Sequence, residues 1–203
     1  MRLKQPIEKS IISRIYGRGK GSVCGSSDFL DLGSRGAVDL SLSRLVKKGI
    51  LRRLARGVYV YPEKNRLLGE LSPRPEEVAK ALARRGAQKL LPSGAFAANL
   101  LGLTEQVPAK VEYLTDGPSR TAMIRNLPVV LKQSTPARLA TAGRVSGTVA
   151  QALRFLRKEQ VDDSVVARLR ERLSEGDKEQ LIRDIPLVPA WVGAVFRKVA
   201  SDL

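Results

Sequence analysis

The chain has 203 residues, enough for one large domain or two small ones, and its 43% hydrophobic and 28% charged residues are ordinary for a globular protein. A net charge of +16 favours nucleic acid, an anionic membrane surface or an acidic protein as a partner. With no histidine and a single cysteine, the chain excludes a Cys/His zinc site, an internal disulfide and the usual Ser-His-Asp and Cys-His nucleophile systems.

No apolar run reaches the roughly 18 residues that a membrane span requires, and the first ten residues lack the apolar core of a secretion signal. We therefore expect a cytoplasmic protein that makes no membrane contact. Without histidine, catalysis would have to depend on carboxylates, lysine or a hydroxyl alone, which removes many classes of enzyme, and we expect no metal or other cofactor.

The chain begins with two predicted helices that are separated by a glycine-rich loop. Isoleucines at helical spacing predict a first helix over residues 6–16, and a short strand at 23–24 precedes a second helix over 28–32. The loop contains Arg18 and Lys20, which are candidate phosphate contacts. Because the loop follows a helix and lacks the spacing of a phosphate-binding motif, a flexible turn is the simpler interpretation.

Residues 34–62 contain the most informative pattern. Val38, Leu42 and Leu45 lie four and then three residues apart, so they share one face of a predicted helix, and Ser34 is placed to cap its start. The face opposite this apolar stripe has no carboxylate, and Asp39 lies to one side of it.

A hairpin is predicted directly after this helix. Its strands run over residues 50–54 and 58–61, and a turn at 55–57 joins them. Helix, short helix, helix and hairpin is the order of a winged helix-turn-helix. In that fold the third helix enters the major groove of DNA, and the hairpin, or wing, contacts the flanking backbone.

Basic and small side chains cluster on the helix and the hairpin. Strand alternation places Arg52 and Arg53 on opposite faces, and we favour Arg53 with Arg56 as the pair that faces DNA. Gly36 lets the helix sit deep in the groove. The candidate DNA-binding residues are Arg35, Leu40, Ser43, Arg44 and Lys47 on the helix, and Arg52, Arg53 and Arg56 on the hairpin.

The predicted fold class is α+β. A winged helix-turn-helix domain at residues 1–66 holds 15 lysines and arginines against five acidic residues, and a linker with glycine and proline follows at 67–75. A mixed α/β domain at 76–203 ends in a helical segment. Its predicted helices cover residues 76–85, 94–101, 143–158, 163–173, 177–184 and 189–200, and its predicted strands lie at 89–91, at 110–115 and within 121–132.

Two blocks of the chain resemble a known family. The run SDFLDLGSRGAVDLSLSRLVKKGILRRLARGVYVYP and the later run LPSGAFAANLLGLTEQVPAKVEYLTDG are similar to the AbiEi-like antitoxins of abortive-infection toxin–antitoxin operons. The resemblance extends over residues 6–131, and the second block is the more specific. Beyond residue 143 only the helix content is similar.

This resemblance implies a repressor that binds inverted repeats in its own promoter and so regulates its toxin–antitoxin operon. It places the DNA-reading helix at residues 35–48 and the wing at 52–59. It also implies a C-terminal domain that counters a nucleotidyltransferase toxin encoded alongside, with direct contact between the two proteins left open. It further implies that the chain is not an enzyme, which agrees with the missing histidines. We expect a monomer in solution or a dimer on DNA, because symmetric operators need two copies of the reading domain.

Three other functions remain open. The chain could be a module that neutralises an acidic partner by direct binding, since its C-terminal helices carry many arginines. It could be a stand-alone winged-helix regulator or an RNA-binding protein. A magnesium-dependent nuclease that uses Asp116, Asp162 and Asp163 is disfavoured, because adjacent helical residues diverge by about 100°.

Overall fold

The computed structural model describes residues 7–83 and 88–201, and the chain forms two compact units. Unit 1 comprises Met1–Ala87 and Arg120–Val129, and unit 2 comprises Gln88–Ser119 and Val130–Leu203. Helices and antiparallel strands occur in both, so the predicted α+β class is confirmed. Within the described ranges, no helix is long and apolar enough to cross a membrane.

The described elements alternate between helices and short strands. The helices are α1 (Ile7–Arg18), α2 (Arg35–Lys47), α3 (Pro75–Ala83), α4 (Gly94–Leu100), α5 (Val145–Leu156), α6 (Asp163–Arg172), α7 (Glu175–Arg183) and α8 (Ala190–Val199). The strands are β1 (Val23–Gly25), β2 (Arg52–Ala55), β3 (Val58–Val60), β4 (Glu63–Asn65), β5 (Gly69–Leu71), β6 (Leu91–Ser93), β7 (Val111–Thr115), β8 (Arg120–Ile124) and β9 (Leu127–Gln133).

Unit 1 is built on a three-stranded antiparallel sheet in the order β1-β3-β2. The apolar stripes of α1 and α2 pack together beside this sheet, as their helical spacing predicts. The buried core is formed by Ile11, Ile15, Cys24, Phe29, Val38, Leu42, Leu45, Leu51 and Tyr59. The first predicted helix is therefore present, although Pro6 lies outside the described residues.

The predicted second helix at 28–32 is instead a short 3₁₀ helix, Ser26–Phe29. The Asp28 carboxylate accepts a hydrogen bond from the Gly25 N–H at 3.3 Å, so the helix starts two residues earlier than predicted. Phe29 is fully buried and anchors the segment to the core. A single 3₁₀ turn therefore connects β1 to the residues that precede α2.

The predicted linker at 67–75 contains ordered structure. Strands β4 and β5 form an antiparallel hairpin, and the Asn65 side chain closes its turn by accepting hydrogen bonds from the N–H groups of Leu67 and Leu68 at 2.8 and 3.1 Å. Gly69 adopts a φ of +71°, which a residue with a side chain rarely tolerates. Gly69, one of the residues on which the predicted linker was based, thus belongs to a hairpin.

Unit 1 also extends beyond residue 66, where the sequence placed the end of the first domain. The buried face of α3, which includes Val78, Ala79 and Leu82, packs on β1 and β3. Strand β8 lies against β2 and α3, and the Arg120 guanidinium donates to the Leu82 carbonyl at 3.0 Å. Because these contacts join segments distant in sequence, composition alone did not indicate them.

Unit 2 places helices on a sheet in which β7 lies between β6 and β9. Helix α5 packs on α4 and β6, and α6, α7 and α8 complete the helical layer. Ala97 and Ala98 are fully buried, which lets α4 approach α5 closely. Phe196 is fully buried and the partly exposed Trp191 packs against the same core, so both residues stabilise unit 2.

One buried carboxylate connects two helices of unit 2. Asp184, which is 2% exposed, follows α7 and accepts hydrogen bonds from Arg144 at 2.6 Å and Gln180 at 3.0 Å. Ser146, at the start of α5, also donates to it and is itself fully buried. A buried carboxylate is tolerated only with such partners, so this network holds α5 against the end of α7.

Replacing Asp184 with alanine should lower the free energy of unfolding by about 2–4 kcal/mol, because Ser146 is left buried without its partner and Arg144 loses its charge partner. Urea unfolding followed by the fluorescence of Trp191, the single tryptophan, measures this change. Glu179→Ala on the same helix is the control. Its exposed pair with Arg183 should contribute less than about 1 kcal/mol. Equal losses would contradict this account of the network.

Candidate nucleic-acid interface

Helix α2 presents one face to the core and the opposite face to solvent. The Ser34 hydroxyl caps the helix by accepting a hydrogen bond from the Ala37 N–H at 3.4 Å, as predicted. Val38, Leu42 and Leu45 are each fully buried. The residues on the outer face are exposed, and they are Gly36, Leu40, Ser43, Arg44 and Lys47.

The hairpin β2–β3 follows α2 and carries three arginines. Its register shifts between Arg53 and Ala55, so that Arg53 pairs with Tyr59 and Ala55 pairs with Val58. Such a bulge increases local twist and redirects side chains near the turn. Gly57 has a φ of +77°, which allows the tight return of the chain after Arg56.

A polar cleft of about 660 Å³ lies between α2 and this hairpin. We call it the α2–hairpin cleft, and its lining residues are Arg35, Asp39, Ser43, Arg53, Arg56, Gly57 and Tyr59. Four of the eight candidate DNA-binding residues therefore line one concave surface. Cross-strand neighbours share a face of a sheet, which explains why Arg53 and Tyr59 both line it.

The lining of the α2–hairpin cleft includes one carboxylate, that of Asp39, which the helical spacing placed to one side of the outer face of α2. Asp39 forms an ion pair with Arg35 one helical turn earlier, at 3.2 Å, and both side chains are nearly half exposed. Residues four apart on a helix are neighbours, so the sequence spacing of Arg35 and Asp39 indicates this pair. With three arginines and one aspartate, the lining still carries a formal charge of +2.

Tyr59 is the aromatic residue of the cleft and was not among the candidate residues. Burial raises the pKa of its phenol above the ordinary value, Arg53 opposes this effect, and Asp39 reinforces it. Tyr59 is only 6% exposed, so it contributes a buried wall to the cleft. Tyr59 lines the cleft because it pairs with Arg53 across the hairpin, and strand register cannot be read from sequence alone.

The three wing arginines differ in their surroundings. Arg52 points away from the α2–hairpin cleft and pairs with Glu70 at 3.1 Å, beside a different cavity. Arg53 lies in the cleft, and its Nε donates to the Ala55 carbonyl at 3.3 Å. Arg56 is exposed at the tip of the hairpin and lines the same cleft. The structure thus places Arg53 and Arg56, the favoured pair, on the same side as α2.

The remaining candidates lie outside the cleft lining. Leu40, Arg44 and Lys47 are exposed on the outer face of α2. Arg18 forms an ion pair with Asp28 at 2.7 Å and lies over the Phe29 ring. The Arg18 guanidinium therefore stabilises the fold through these two contacts. The other loop candidate, Lys20, is exposed and borders the same cavity as Arg52.

The three carboxylates of the nuclease hypothesis have separate structural surroundings. Asp116 accepts a hydrogen bond from the Lys89 N–H at 2.9 Å. Asp162 caps α6, and hydrogen bonds from the Ser164 hydroxyl and the Val165 N–H lower its carboxyl pKa. The Asp163 side chain is 97% exposed and pairs with Lys198 at 3.7 Å. Across residues 7–83 and 88–201, no group of three Asp, Glu or Cys side chains is arranged to hold a metal ion.

Comparison with protein families gives one match. A family model described as a family of unknown function, DUF6088, matches residues 10–181. The matched range includes all of α2, the hairpin β2–β3 and every residue of the α2–hairpin cleft. A search of curated proteins found no match.

Replacing Asp39 with asparagine should strengthen the binding of duplex DNA of arbitrary sequence by about threefold at low salt, because the cleft loses its one carboxylate. Arg35 is also released from its ion pair. Fluorescence anisotropy of a labelled duplex measures the change. Asp163→Asn, which alters the net charge equally but lies in unit 2, is the control. An equal gain from both variants would show that only net charge matters.

Proposed function

We propose that this chain, which belongs to the DUF6088 family, is a winged helix-turn-helix repressor that binds its own promoter and acts as the antitoxin of a toxin–antitoxin operon. The observation that carries the DNA-binding part is the α2–hairpin cleft. There Arg35, Ser43, Arg53 and Arg56 converge on one concave surface with a net positive charge.

The order of elements supports a winged helix-turn-helix. Helix α1, the 3₁₀ helix, helix α2 and the hairpin β2–β3 follow one another as in that fold, and β1 completes the sheet. Helix α2 has 13 residues, and the residues of its outer face are exposed to solvent. An α-helix of this kind fits the major groove of DNA, and the hairpin beside it then reaches the flanking backbone.

The side chains divide into base-reading and phosphate-binding groups. Arg35 lies at the start of α2, where base contacts usually occur, and Leu40 can contact a thymine methyl group. Ser43, Arg44 and Lys47 follow along the outer face and reach base edges or adjoining phosphates. Arg53 and Arg56 bind phosphate or enter the minor groove. Arg52 is assigned to neither group, because Glu70 neutralises it.

The antitoxin part of the proposal depends on the resemblance of the LPSGAFAANLLGL block to AbiEi-like antitoxins. In unit 2 this block forms β6, α4 and the turn that ends at Gly102. Most of its large side chains belong to the core, so the block supplies the frame of unit 2. We therefore assign neutralisation of a nucleotidyltransferase toxin to exposed residues of unit 2, which this block holds in place.

A second candidate function, direct binding of an acidic partner, is supported by a mostly apolar cleft in unit 2. The cleft has a volume of about 310 Å³ and is lined by Trp191, Val161, Val166 and Val195. Lys158 and Lys198 border it. An apolar floor with lysines at its rim is complementary to an acidic segment that carries an apolar anchor.

Replacing Arg53 and Arg56 together with glutamine should weaken binding to the region upstream of the gene and lower the salt slope, log Kobs against log salt, by about 1.8. Each phosphate contact accounts for roughly 0.9 of that slope. Lys9→Gln with Lys132→Gln removes the same charge from exposed positions outside the cleft and should change the slope little. A mobility-shift titration at several salt concentrations measures both.

Arg44→Ala should cost about 1–3 kcal/mol of binding to the upstream region and should reduce discrimination against unrelated DNA. The reason is that an arginine on the outer face of α2 reads bases as well as phosphates. If Arg44→Ala combined with Arg53→Ala binds that DNA as the unchanged protein does, the assignment of the reading surface is wrong.

Protection from the toxin should survive the loss of DNA binding if neutralisation belongs to unit 2. The full chain with Arg53→Gln and Arg56→Gln, expressed from an unrelated promoter, should restore growth of cells that express a nucleotidyltransferase encoded beside the gene. Loss of protection by this variant would instead show that protection depends on repression. No protection by the unchanged chain would contradict the antitoxin proposal and leave the DNA-binding proposal in place.

A further inference from the structure

A second cavity of unit 1 lies on the Arg52 side of the hairpin β2–β3. Its volume is about 460 Å³, within the range of small-molecule sites. We call it the tyrosine groove, after Tyr16 and Tyr61 in its lining. It shares no lining residue with the α2–hairpin cleft, because successive residues of β2 point to opposite faces.

The two tyrosines form an exposed aromatic platform. Their ring centroids lie 5.2 Å apart with an angle of 27° between the ring planes, so the rings are stacked. Tyr16 is 52% exposed, which leaves ring surface available for a further planar group. Tyr61 is fixed by its backbone, since its N–H donates to the Ser22 carbonyl at 2.9 Å and its carbonyl accepts from the Gly21 N–H at 2.8 Å.

Positive charge borders the platform. Lys20 and Lys64 line the groove, both are exposed, and neither forms an ion pair with any residue of the described ranges. Glu70 also lines the groove, but Arg52 neutralises it at 3.1 Å. The groove therefore carries a formal charge of +2, located on two flexible side chains beside stacked aromatic rings.

Stacked aromatic rings with flanking lysines suit a particular ligand. Bases within a duplex are already stacked on one another and cannot reach a ring on the protein surface. An unpaired base can stack on an aromatic side chain while its phosphates contact lysines, which is how proteins bind single strands with little sequence preference. An acidic peptide would use the lysines but would gain little from an exposed ring face.

We propose that the tyrosine groove binds an unpaired nucleobase of a single-stranded nucleic acid, with Tyr16 as the stacking surface and Lys20 and Lys64 as phosphate contacts. This site goes beyond the proposed repressor function, which uses the opposite face of the hairpin. The hairpin then separates two nucleic-acid contacts, with duplex bound on the Arg53 face and single strand bound on the Arg52 face. A locally unpaired promoter and a transcript are the two sources of such a strand.

The experiment compares variants at Tyr16 in the full chain. Binding of fluorescently labelled oligothymidylate and oligouridylate of about 12 nucleotides is measured by anisotropy at several salt concentrations. Tyr16→Leu should weaken binding roughly tenfold, because the aliphatic side chain cannot stack. Tyr16→Phe keeps the ring and should bind within about twofold of the unchanged protein. Tyr16 is exposed on a helix, where leucine has a higher helix propensity than tyrosine and phenylalanine about the same, so neither change should prevent folding.

Lys20→Gln with Lys64→Gln should lower the salt slope for the single strand by about 1.4, since each phosphate contact on a single strand accounts for roughly 0.7. Lys9→Gln with Lys132→Gln removes equal charge and should leave that slope nearly unchanged. Stronger binding of oligouridylate than of oligothymidylate would identify RNA as the strand, and equal binding would identify the unpaired base as the shared determinant.

Three results would overturn the inference. The first is that the unchanged protein binds neither oligonucleotide at physiological salt. The second is that Tyr16→Leu binds as tightly as Tyr16→Phe, and the third is that only Arg53→Gln with Arg56→Gln abolishes single-strand binding. The last result would assign the single strand to the α2–hairpin cleft. Duplex binding by the same samples tests the proposed function separately, because Tyr16→Leu should leave duplex affinity unchanged.

Discussion

The burial of Val38, Leu42 and Leu45 determines which face of α2 meets solvent, and the rest of unit 1 depends on this constraint. Each of these side chains is fully buried against α1 and the sheet, so rotating the helix would expose apolar surface at about 25 cal/mol for every Å². The opposite face therefore stays accessible. The hairpin β2–β3 is held against the same core by Leu51 and Tyr59, so the helix and its neighbouring arginines keep a fixed geometry.

The acidic residues of unit 1 neutralise some of its cations and leave others unpaired. Asp31 pairs with Arg14, Asp28 with Arg18 and Glu70 with Arg52, and each of these pairs lies outside the α2–hairpin cleft. Arg44, Lys47 and Arg56 form no ion pair with any residue that the structure describes. The three paired arginines are thus neutralised locally, whereas Arg44, Lys47 and Arg56 remain available to an anionic ligand. Arg35 is the exception on α2, because it pairs with Asp39.

Much of this arrangement could be predicted from local patterns, and the exceptions share a physical reason. The stripe of α2, its Ser34 cap and the alternation of Arg52 and Arg53 are local features, and the structure contains all three. The hairpin in the predicted linker, the packing of α3 and β8 into unit 1, and the position of Tyr59 depend on contacts between distant segments. Asp39 is different, because its four-residue spacing from Arg35 was visible and its place in the cleft was not.

Site-directed DNA cleavage tests the central claim most directly, namely that the outer face of α2 reads DNA. Cys24 is buried, so a Ser43→Cys variant offers one accessible thiol for attachment of a DNA-cleaving iron chelate. If α2 lies in the major groove, the region upstream of the gene should be cleaved at a few discrete positions, clustered as expected for a chelate held in that groove. A Glu179→Cys variant in unit 2 is the reference. Uniform cleavage from Ser43→Cys, or discrete cleavage from Glu179→Cys alone, would contradict the assignment of α2 as the DNA-reading helix.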